Sequence, residues 1–80
     1  MNQPYLQVYT HQQFPIDWAM TQYNRGNAYA CLHGENQKTN LERAIACFYA
    51  SLHIFNTLRM DFHAQVVMGA IKKAQERLQA

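Results

Sequence analysis

Four histidines and two cysteines raise the first question, because imidazole and thiolate are common zinc ligands and a cysteine beside a histidine is a common nucleophile. Cys31 and His33 lie close in sequence, but side chains two positions apart on a helix point about 200° apart, so they diverge wherever the helix continues. The chain has no C-x-x-C, no H-E-x-x-H and no histidines four residues apart. Cys31 and Cys47 both fall in helical patterns and read as small hydrophobes packed against neighbouring helices. Paired carboxylates and a glycine-rich phosphate loop are also missing. The sequence therefore predicts no catalytic residue, no metal site and no cofactor, and it reads as non-enzymatic.

Charge narrows the partners. Seven Lys/Arg against five Asp/Glu leave a formal charge of +2, far short of the basic stripe that marks nucleic-acid binding. Lys72, Lys73 and Arg77 sit near the C-terminus, where cations offset the negative end of a helix dipole. The same cluster, with exposed tyrosines as stacking platforms, supports the alternative reading of a small nucleic-acid-binding protein. Hydrophobic residues make up 49% and charged residues 15%, the balance of a globular chain. Residues 1–80 read as one small domain, which buries only about 60–65% of its unfolded surface and has little stability to spare. The start, MNQPYLQVYT, lacks a basic region followed by an apolar core, and no apolar run approaches the roughly 20 residues a membrane span needs. Two cysteines are too few for a disulfide scaffold, so the expectation is a reduced, cytoplasmic protein with no membrane association.

The positioning elements read as helices throughout. Pro4 suits the first turn of a short helix in YLQVYTHQQ. Pro15 breaks it and opens a second, with Asp17 in its first turn and Trp18, Ala19, Tyr23, Gly26, Tyr29 and Ala30 recurring to about Leu32. HGENQKTN reads as a loop, and TNLE, residues 39–42, as a capping box that starts a third helix. Leu41, Ala44, Ile45, Phe48, Leu52 and Phe55 then form a broad apolar stripe that stops near Arg59. A last helix, from Asp61 or Phe62 to Leu78, aligns Val67, Ile71, Ala74 and Leu78. Nothing alternates long enough for a strand, and the predicted fold is all-α with about four helices. Gly26 inside a helix costs about 1 kcal/mol relative to alanine, which close approach of another helix would offset. YLQVYT also echoes SLHIFN, pairing Leu6 with Leu52, Val8 with Ile54 and Tyr9 with Phe55 at an offset within the range of helical repeats.

GNAY followed by LERAIACFYASLHIF resembles the tetratricopeptide repeat, with Gly26 and Tyr29 on its first helix and Ala44, Phe48 and Ser51 on its second. FPIDWAMTQ with NLERAIACF is similar, more narrowly, to the long-loop tetratricopeptide repeats of cyanobacterial and other bacterial multidomain proteins. The resemblance covers about residues 5–62 and implies an antiparallel helical hairpin, one full repeat at about 15–59, with flanking half-repeats. Three departures stand out: Arg25 replaces the common leucine before the glycine, Gln22 holds the usual tryptophan position while Trp18 lies a turn earlier, and the interhelix loop is about six residues longer.

The resemblance implies an interaction or self-assembly module. Its groove-facing positions, the candidate peptide-binding residues, are Met20, Tyr23, Asn27 and Ala30. Tyr23 stands where repeats that grip a C-terminal carboxylate carry a lysine, so that ligand is not expected. A single repeat leaves apolar faces that stacked units would cover, since about three are normally needed. A homodimer is therefore expected, with Val66, Val67, Met68 and Ile71 as the candidate interface.

Overall fold

The computed structural model describes residues 13–34 and 36–80, which form three helices: α1 (Pro15–Cys31), α2 (Gln37–Thr57) and α3 (Asp61–Gln79). Among the described residues there is no strand, and the fold is all-α. The helix expected in YLQVYTHQQ and the echo of SLHIFN in YLQVYT lie almost wholly outside the described residues.

Helix α1 starts as its sequence dictates. Pro15 occupies the first turn, where its missing N–H loses no hydrogen bond, and Trp18 N–H donates to the Phe14 carbonyl at 2.8 Å. Asp17 adds a favourable charge to that turn. The helix ends where Leu32 turns extended, and Gly34 adopts a φ of +121°, a conformation that favours glycine.

Helix α2 begins earlier than a capping box at TNLE would set it. Asn40 N–H already donates to the Asn36 carbonyl at 2.8 Å, so Thr39 lies inside the first turn and no side chain caps the helix. Gln37 N–H donates to the Gly34 carbonyl at 3.2 Å, and Gln37, Lys38, Thr39 and Asn40 make a polar first turn of helix rather than loop. At the other end, Met60 N–H donates to the Phe55 carbonyl at 2.9 Å and Arg59 N–H to the Asn56 carbonyl at 3.1 Å. These are the two bonds of a Schellman motif, with Arg59 at φ +58° in the position that glycine usually takes. That sharp stop lets α3 begin at Asp61.

Helix α2 is the central element, packed against α1 on one side and α3 on the other. Burial therefore extends beyond one stripe. Leu41, Ala44, Phe48 and Phe55 are buried as the spacing predicts, and Cys47, Ser51 and Ile54 are buried with them, while Ile45 and Leu52 are partly covered. Ala64, Val67, Ile71 and Ala74 supply the α3 side of the core. The α1 side is made of Ala19 and Gly26, with Trp18, Tyr23 and Tyr29 packed partly over them.

Gly26 has the neighbour its cost requires. An added Cβ would lie 2.5 Å from Cε1 and 2.7 Å from Cδ1 of Phe48, so the Phe48 ring occupies the space a side chain would need. Tyr23 meets the same ring at 5.7 Å between centroids, and Arg43 of α2 lies over the Tyr29 ring at 5.9 Å. Arg25, apolar in the family resembled, is exposed and takes its charge to solvent. The cysteines divide: Cys47 is buried as a small hydrophobe, but Cys31 is exposed at the end of α1.

Candidate binding groove

Because α1 and α3 both pack on α2, they flank a groove that Phe48 of α2 also lines. Three of the four positions read as groove-facing converge there. Tyr23, Asn27 and Ala30 line one wall of a cavity of about 440 Å³, opposite Val66, Gly69, Ala70, Lys73 and Arg77 of α3. The fourth, Met20, lines an adjoining pocket of about 120 Å³ with Phe55, Phe62, His63 and Val67. Tyr23 and Val66 line both, so the two pockets are neighbours.

The two pockets differ chemically. The one around Met20 is apolar, and Phe62 at its edge is 74% exposed, the most exposed large hydrophobic side chain among the described residues. His63 packs there against Phe55, with ring centroids 5.1 Å apart. The larger cavity adds polar side chains, Gln65 near the start of α3, Lys73 and Arg77 near its end and Asn27 on α1, and no carboxylate lies among its described lining residues. Arg77 also holds the two walls together. Its Nη1 donates to the Ala30 carbonyl at 2.8 Å, satisfying one of the acceptors that the end of α1 leaves without an intrahelical donor.

Gly69 stands out on this wall. It lies in the middle of α3, where glycine costs about 1 kcal/mol relative to alanine, yet among the described residues no packing neighbour lies within 4 Å of where its Cβ would be. Internal packing explains Gly26 and does not explain Gly69.

The expected oligomer interface does not form one surface. Val67 and Ile71 are 1% and 5% exposed and belong to the core against α2, whereas Val66 and Met68 are exposed. Helical geometry turns Val66 and Met68 about 200° apart, so Val66 faces the groove and Met68 the polar outer side. The same geometry separates Lys72 from the groove-lining Lys73 and Arg77. The sequence reading missed Phe62 and Gly69. The signal for both was a second stripe on α3, running Phe62, Val66, Gly69, Lys73 and Arg77 at helical spacing beside the apolar one.

Among the described residues no three His, Cys, Asp or Glu side chains gather to hold a metal ion, and no helix is long and apolar enough to cross a membrane. No protein-family model, curated protein or solved structure matches the chain.

Proposed function

We propose that the chain is a tetratricopeptide-like interaction module, without catalysis of its own, that binds a protein segment in the groove between α1 and α3. The observation that carries this reading is Gly69, a mid-helix glycine that lines the groove and beside whose Cβ position no other described residue packs. Glycine at such a place lets another backbone come close. The convergence of Tyr23, Asn27 and Ala30 on the opposite wall supports the same reading.

A display selection of random dodecapeptides against the native chain tests it, with Gly69→Trp as the blocked control. The Cβ of the new side chain meets open space, and circular dichroism checks that the variant keeps the native fold. Selected peptides should lose binding to Gly69→Trp. Peptides that bind both proteins equally, or no selected peptide at all, would contradict the assignment.

Self-association is the second reading. Phe62, with Met20 and Val66 beside it, offers an apolar surface that a second copy could cover.

A further inference from the structure

The α3 wall of the groove is self-complementary. Phe62, Val66, Gly69 and Lys73 follow one another by four, three and four residues, the spacing of a seam along which two helices pair. Phe62 and Val66 project as exposed apolar side chains, while at Gly69 no described neighbour packs within 4 Å of the Cβ position. We propose that the segment meeting this wall is α3 of a second copy, paired antiparallel about a two-fold axis that crosses between Val66 and Gly69. This inference rests on the groove being a protein-binding face and names the chain itself as the partner.

The residues decide the orientation. A two-fold axis repeats every contact, so each Val66 meets the second copy's Gly69 and each Phe62 meets the second copy's Lys73. The missing side chain at Gly69 lets the two backbones approach until Val66 fills the space. The Phe62 ring covers the apolar stem of Lys73 and attracts its ammonium. Parallel pairing fits worse, since it sets Lys73 against Lys73 and leaves a hollow between two glycines.

The other wall extends the patch. Ile16 and Met20 of α1 are also exposed, and they precede Phe62 and Val66 by the interval that separates the helix starts Pro15 and Asp61. One end of the groove therefore carries apolar side chains on both helices, a grouping that marks an interaction surface. Area does not limit the pairing: the molecule extends 41 × 34 × 12 Å, and a broad face of it exceeds the about 800 Å² per partner of an ordinary stable dimer. A second copy lying there also covers the pocket of Met20, Tyr23, Phe55 and Phe62 and removes its aromatic lining from water.

Sedimentation equilibrium of the native chain, from micromolar to near-millimolar concentration, should show monomers in equilibrium with dimers. Gly69→Leu should raise the dissociation constant about tenfold or more, because its side chain takes the place of the second copy's Val66. Moving the bulk across the seam tests the register. Val66→Ala alone should weaken the dimer, yet combined with Gly69→Leu it should recover most of what Gly69→Leu loses. Circular dichroism and thermal melts check that each variant is folded. A dimer indifferent to Gly69→Leu would overturn the interface, and a Gly69→Leu defect that Val66→Ala deepens would overturn the antiparallel register. A native chain that stays monomeric throughout overturns the proposal as a whole. In that case selected dodecapeptides that still lose binding to Gly69→Trp keep the groove assignment standing, and without such peptides both readings fall.

Discussion

The Cε1 atom of Phe48 lies 2.5 Å from the point where any side chain at Gly26 would begin. Real carbon atoms do not approach so closely, and the ring is buried among residues that prevent it from swinging away. Gly26→Ala should therefore lower stability by about 1–3 kcal/mol through overpacking, and Gly26→Leu should do at least as much. Gly69→Ala should act in the opposite direction, raising stability by roughly 0.5–1 kcal/mol, because it gains helix propensity and meets nothing. Urea denaturation of the two alanine variants checks both signs. Equal midpoints would show that the two glycines are equivalent and remove the reason for singling out Gly69.

The helical periodicity of α2 was plain because Leu41, Ala44, Phe48 and Phe55 keep one spacing over several turns. Its start was not, since Gln37, Lys38, Thr39 and Asn40 are as polar as a loop, and no side-chain cap marks where the helix begins. On α1 the spacing of Tyr23, Asn27 and Ala30 put them on one face, and that face borders the groove. On α3 the run Val66–Val67–Met68 hid the answer, because three consecutive apolar residues point in three directions. Which of them is core depends on where α2 lies, and that is tertiary information.

Ser51 is fully buried, and its hydroxyl has no hydrogen-bond partner among the described residues. A buried hydroxyl that gives up water without a replacement costs about 1–3 kcal/mol, and alanine removes that cost while leaving only a small void. Ser51→Ala should therefore raise the thermal midpoint, by an amount equivalent to roughly 1 kcal/mol. A lower midpoint would mean that the hydroxyl has a partner, such as a buried water, in solution.

Arg59 adopts a left-handed conformation to close the Schellman motif that ends α2. A side chain at that position strains the backbone, while glycine accepts it freely. Arg59→Gly should be neutral to stabilising, by up to about 1 kcal/mol, even though glycine loses more entropy on folding. Arg59→Val should be destabilising, because its β-branch resists the same angle. If valine and glycine gave the same midpoint in chemical denaturation, the strain argument would fail.

Folding and self-association are separable on α3, because Val67 and Phe62 stand at opposite extremes of exposure, 1% and 74%. Val67→Asp would drive a carboxylate into the α2–α3 core, where no cation lies among the core residues to receive it, and should cost more than about 3 kcal/mol. That loss should appear even in dilute protein, since it does not depend on a second copy. Phe62→Ser removes apolar surface that faces water and should leave the helical signal and melting temperature nearly unchanged. If a second copy covers that surface, sedimentation equilibrium should show native chains associating as concentration rises and Phe62→Ser remaining monomeric. A groove-binding dodecapeptide should then compete with association, because Met20, Phe62 and Val66 serve both. Native protein that stays a folded monomer up to near-millimolar concentration would exclude self-assembly through this face, leaving Phe62 to a different protein partner.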